Sequence, residues 1–120
     1  MTHKPINAQC LFRELLGVVG EYTHRYYAHL EDNDELLPYV LMDDFSRFVI
    51  ECQSSGDHDV FERCIRFLNE CFTFGDDDVR LLVQSTFAET VETLWNMPDH
   101  FSAIYNSLVP DLQRTIRTFN

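Results

Sequence analysis

From Leu11 to Ile116 the apolar residues of this chain recur at intervals of three and four, almost without interruption. That period lays side chains along one face of an α-helix, whereas a half-buried strand needs strict alternation. Leu11, Leu15, Val18, Val19, Tyr22 and Tyr26 form a first stripe, on a helix expected from about Asn7 to His29. Gly17 and Gly20 either weaken that helix by up to ~1 kcal/mol each or mark a close helix crossing. Glu31-Asp32-Asn33-Asp34-Glu35 is a polar break. Leu36-Leu37-Pro38 opens a second helix, because proline is tolerated in a first turn. Its stripe is Leu41, Phe45, Phe48, Val49 and Cys52, and Gly56 stops it.

A third helix starts near Asp57 or Asp59, with Asp59 and Glu62 at capping-box spacing. It buries Phe61, Cys64, Ile65, Leu68, Cys71 and Phe72 and ends at Gly75. Asp76-Asp77-Asp78 begins a fourth helix, where carboxylates complement the positive end of the helix dipole. Val79, Leu82, Val83, Phe87, Val91, Leu94 and Trp95 are its stripe, and Pro98 terminates it. A fifth helical region runs from Asp99 to about Thr118, bent at Pro110, with Phe101, Ile104, Tyr105, Leu108, Leu112 and Ile116 facing inward. No run alternates, so the expected fold is all-α. It is a single domain over residues 1–120, a bundle of five or six helices. Short loops make them mostly antiparallel.

Ten Phe, five Tyr and one Trp among 45% apolar residues supply a core without disulfide or metal staples. They also exclude an acidic disordered tail, which would be poor in aromatics. No apolar run approaches the ~20 residues of a membrane span. Met1-Thr2-His3-Lys4-Pro5 lacks a secretory pattern, so a cytoplasmic protein is expected. Cys10, Cys52, Cys64 and Cys71 are spread out and read as small apolar side chains in a reducing compartment.

Candidates for chemistry are few. Glu21-x-x-His24 has the i, i+3 spacing of carboxylate-bridged metal bundles, but such bundles need two of these motifs. Asp43 and Asp44 are adjacent on a helix and diverge by about 100°, too far to serve one substrate as acid and base. Asp76 to Asp78 lack the spaced ligands and central glycine of a calcium loop, and helix capping accounts for them. Glycine-rich phosphate loops, H-E-x-x-H and G-x-S-x-G are absent. The expectation is no catalytic residue, no metal and no cofactor.

Charge points toward binding. Twenty acidic side chains face nine basic ones, a formal net charge of −11. Nucleic acid and anionic lipid are polyanions that such a chain repels, so no nucleic acid and no membrane is expected. A basic protein is the fitting partner. The candidate contacts are Asp32, Asp34, Glu35, Tyr39, Asp43, Asp44, Asp76 and Asp77, with Tyr27 and Tyr39 as aromatic anchors beside the acids.

Two stretches carry a family likeness. Leu37-Pro38-Tyr39-Val40-Leu41-Met42-Asp43-Asp44-Phe45-Ser46-Arg47-Phe48-Val49 resembles the LP-x-V-x-x-x-D-x-x-R-F segment of a family of small, acidic, all-helical bacterial proteins. Gly75-Asp76-Asp77-Asp78-Val79-Arg80-x-Leu82-Val83, followed by Phe87-x-Glu89, is similar to that family's second stretch. The resemblance implies an immunity-type antitoxin, encoded beside a polymorphic or contact-dependent toxin and neutralising it by direct binding. The implied partner is a basic toxin domain, a nuclease by expectation. Asp43, Asp44, Arg47, Asp76 and Glu89 are the polar residues at matching positions, Arg47 being suited to pair across the bundle. The alternative is a helical adaptor or chaperone-like module holding a partner helix in an apolar groove.

Overall fold

Two long helices organise the molecule. In the computed structural model, which describes residues 6–7 and 10–116, they are α3 (Pro38–Ser55) and α4 (His58–Phe74). Pro38 sits in the first turn of α3, and Gly56 closes its end at φ 80°, a left-handed conformation that costs glycine little. The two-residue link then folds α4 back antiparallel against α3. Every member of the expected α4 stripe is buried, together with Val60 and Phe67.

Before this hairpin come α1 (Leu11–Val18), a 3₁₀ turn (Gly20–Tyr22) and α2 (Thr23–Asn33). The single helix expected over Asn7 to His29 is therefore broken. Val19 leaves helical geometry at φ −123°, ψ 77°, next to Gly20. A Cβ at Gly17 or Gly20 would meet nothing within 4 Å, so neither glycine marks a close crossing.

After α4 the chain continues through α5 (Asp77–Val83), a π-helical stretch (Gln84–Ala88) and α6 (Glu89–Glu92). The expected fourth helix is thus one run with a widened turn in its middle. There Thr86 and Thr90 each donate a hydroxyl to the carbonyl four residues back, at 2.7 and 2.8 Å, contacts that disturb helix regularity. Then α7 (Pro98–Tyr105) and α8 (Pro110–Gln113) are separate helices rather than one bent at Pro110. The expected end at Thr118 lies outside the described residues, as do His3 and Lys4.

The fold is all-α, with more helical segments than the five or six expected and no strand among the described residues. An isolated bridge joins Ile6 to Gly75: the Ile6 amide donates to the Phe74 carbonyl at 3.0 Å, and the Asp76 amide donates to the Ile6 carbonyl at 2.9 Å. Ile6 is buried in the core. A Cβ on Gly75 would overlap the Cys71 carbonyl oxygen and stand 2.7 Å from Val79 Cγ1, so the link is built around glycine.

One core runs through the molecule. Tyr22, Phe45, Phe67 and Phe87 are its largest fully buried side chains. Phe45 meets both Tyr22 (centroids 5.1 Å apart) and Phe67 (6.2 Å) edge to face, the favoured geometry for ring quadrupoles. α3 lies at the centre, packing on α4, α5, the π stretch, α6 and α7. Trp95, expected in the core, is instead 64% exposed in the turn after α6.

Candidate functional site

The outer surface of α3 carries the site. Where α2 meets α3, Tyr22 and Arg25 lie one turn apart and face the helix across from them. The Arg25 guanidinium holds the Asp44 carboxylate through Nε (3.1 Å) and a second nitrogen (2.8 Å), and reaches Glu51 at 2.5 Å. Tyr22 donates its buried hydroxyl to the same carboxylate at 2.6 Å. Arg25 also stacks over the Phe48 ring, 5.3 Å from its centroid. Burial pushes the Asp44 carboxyl up, but the hydrogen bonds from Arg25 and Tyr22 outweigh it and hold the group below its ordinary value. Burial first, then the hydrogen bond to Asp44, pushes the Tyr22 phenol far up, so it stays a donor.

Asp43 is met differently. Arg47, one turn along the same helix, pairs with it at 2.6 Å, so the expected cross-bundle pairing of Arg47 is not formed. Cross-bundle pairing falls to Arg25 and to Arg63. The latter grips Glu21 in a bidentate contact (2.9 and 2.5 Å) and Asp59 at 2.9 Å, and its hydrogen bonds draw the Glu21 carboxyl below its usual value. Glu21 is therefore engaged with a guanidinium rather than turned toward His24. Asp59 spends its carboxylate on Arg63, and Asp57 stands at the N-cap of α4 without a side-chain cap hydrogen bond.

The connection between α2 and α3 is one place where charge stays bare; exposed Asp57, Glu62, Asp77 and Asp78 also enter no ion pair among the described residues. Asp34 ends α2 at φ 58°, a left-handed position that aspartate tolerates better than most residues. Glu31, Asp32, Asp34 and Glu35 all face solvent, and no ion pair among the described residues reaches any of them. Tyr27 (60% exposed) precedes them by one turn of α2, and Tyr39 (50%) and Val40 (53%) follow in the first turn of α3. An open groove of ≈ 400 Å³ lies alongside, lined among others by Arg25, His29, Asp32, Val40, Asp43 and Arg47. Its floor is close to neutral, because Arg25 and Arg47 answer Asp44 and Asp43; the uncompensated charge is on the rim.

The Asp43–Arg47 pair also borders a second groove, of ≈ 410 Å³, between α3 and α6. Ile50, Leu94 and the Thr90 and Thr93 side chains line it, and exposed Trp95 and Met97 follow Leu94 in sequence. Of the residues singled out from sequence, Asp32, Asp43 and Asp44 share the first groove. Asp34, Glu35 and Tyr39 flank it in the connection and the first turn of α3. Asp76 and Asp77 line neither groove. Asp76 is the N-cap of α5, accepting from the Val79 amide at 2.9 Å, with Asp77 and Asp78 exposed in the first turn.

Sequence reasoning missed the Tyr22–Arg25–Asp44 clamp. Tyr22 and Arg25 at i, i+3 were a visible hint of a shared face. Their partner, however, lies 19 to 22 residues away and is fixed only by tertiary packing.

The family described as a domain of unknown function, DUF7674, matches residues 12–120. The chain belongs to that family. No curated protein and no solved structure matches it. The DUF7674 match takes in the clamp, both grooves and the capped start of α5. No helix among the described residues is long and apolar enough to cross a membrane.

Proposed function

We propose that this DUF7674 protein is a cytoplasmic immunity-type antitoxin that binds a basic toxin domain, with a nuclease domain as the target, and occludes its active site. The observation that carries the reading is the bare acidic rim: four solvent-facing carboxylates without ion pairs among the described residues, near exposed Tyr27, Tyr39 and Val40. A nuclease needs a positive groove to hold phosphates, and an anionic protein surface competes for it through the same charge. Rigid aromatic side chains next to that charge provide apolar anchorage at low entropic cost. The role needs no catalytic residue, metal or cofactor.

The test is a charge reversal that leaves the clamp intact, because reversing Asp44 would disturb folding as well as binding. With Asp32→Lys, Asp34→Lys and Glu35→Lys combined, association with the basic product of the adjoining reading frame should slow by ~10-fold or more at low salt. An unchanged rate at low salt removes the rim from the interface. A second reading, an adaptor holding a partner helix, draws on the α3–α6 groove with exposed Trp95 and Met97 nearby. It requires binding that is indifferent to salt and abolished by Leu94→Asp.

A further inference from the structure

His29 lies in the last turn of α2 and is only 8% exposed. Its Nε2 is 3.0 Å from the backbone nitrogen of Leu37, the N-cap of α3. A backbone amide can only donate, so Nε2 must offer a bare lone pair, and the neutral ring carries its proton on Nδ1. The Leu37 amide is among the donors that a helix start leaves without an intrahelical acceptor. The Asn33 side-chain nitrogen donates to the His29 carbonyl at 2.9 Å and holds the end of α2; it also lies 3.3 Å from Nδ1, where, being a donor, it makes no hydrogen bond to the protonated ring nitrogen. One imidazole thus ties the two ends of the acidic connection together.

A second proton on this ring would remove the acceptor that the Leu37 amide has among the described residues and set one N–H against another. The charged groups around the ring are known. Arg25 and Asp32 from its own helix, and Asp43, Asp44 and Arg47 from α3, line the same groove; Asp34 and Glu35 lie in the connection. Arg25 is engaged by Asp44, and Arg47 by Asp43.

We propose that His29 is a proton-operated latch: taking up a proton on Nε2 releases Leu37 and frees residues 31–37 from their fixed geometry, while the core stays folded. The latch stands on ring geometry and holds whether or not the acidic rim meets a toxin.

Amide hydrogen exchange of the full chain tests it. The protection factor of the Leu37 amide should fall by ~10-fold or more between about pH 8 and about pH 5.5, while those of Phe67 and Val83 in the core hold. In His29→Gln, whose amide oxygen accepts without titrating, Leu37 protection should not change with pH. A constant Leu37 protection in the native chain overturns the latch. So does a fall shared by the core amides, or a fall that persists in His29→Gln. Should that variant fail to fold, the ring ¹⁵N shifts of the native chain decide: a protonated Nε2 at about pH 8 overturns the proposal.

Discussion

Asp44→Ala tests the clamp most directly. The substitution leaves the buried Tyr22 hydroxyl with the Leu41 carbonyl at 3.3 Å, long for an O–H···O bond. Losing a hydrogen bond to a charged acceptor costs ~1.5–3 kcal/mol. Arg25 keeps Glu51. The Arg25 and Asp44 side chains are 30% and 36% exposed, so their pairing adds no more than ~1 kcal/mol after screening. The expected loss is ~2–3 kcal/mol, a large part of the ~5–15 kcal/mol that holds a typical domain folded. For a chain of this size that lowers Tm by roughly 8–12 °C.

Urea unfolding should be followed by far-ultraviolet circular dichroism, because solvent-exposed Trp95 reports poorly on burial. Tyr22→Phe keeps the ring and removes only the hydroxyl, and the double variant should show ~1 kcal/mol or more of coupling. The pH arm has a definite sign. A carboxyl whose folded value lies below its unfolded one contributes stability that is present above about pH 3.9 and is lost as pH falls through the folded value. The native chain should therefore lose more stability than Asp44→Ala on acidification below about pH 4. An Asp44→Ala variant within ~0.5 kcal/mol of the native chain refutes the reasoning, since that is the scatter of ordinary surface changes.

Two further outcomes follow from the packing. Gly75→Ala should destabilise by ~1–3 kcal/mol in the same urea assay, because its methyl would overlap the Cys71 carbonyl and crowd Val79. Burial pushes the Cys52 thiol up to about 11, the Cys64 thiol up to about 12 and the Cys71 thiol higher still. Iodoacetamide at about pH 8 should therefore label half-buried Cys10 first, and mass spectrometry should find the other three only after denaturation.

Local signals were legible where a residue's neighbours in sequence decide its fate. The α4 stripe, the Gly56 stop and the Asp76 cap all depend on contacts within a turn or two, and all could be read directly. The break at Val19, the π turn and the exposure of Trp95 depend on what packs across the bundle, and periodicity carries no such information. The acidic surplus shows the same divide. Asp43 and Asp44 look like free charge in sequence, yet the fold brings Arg25 to one while Arg47 bends back to the other. At Glu31 to Glu35 no cation arrives among the described residues, so the surplus read from composition survives there. Thus Asp44 and Asp76, both candidate contacts by sequence, serve the scaffold here: one anchors the clamp and the other caps a helix.

α3 presents Leu41, Phe45 and Val49 to the core and Val40, Asp43 and Arg47 to the grooves. A ligand on the helical part of this face would therefore meet side chains already fixed by the core, and its binding would be linked to melting of the entire chain. At a ligand concentration a hundred times the dissociation constant that linkage supplies ~2.7 kcal/mol, enough for dye-based thermal scanning to register a binder before its identity is known.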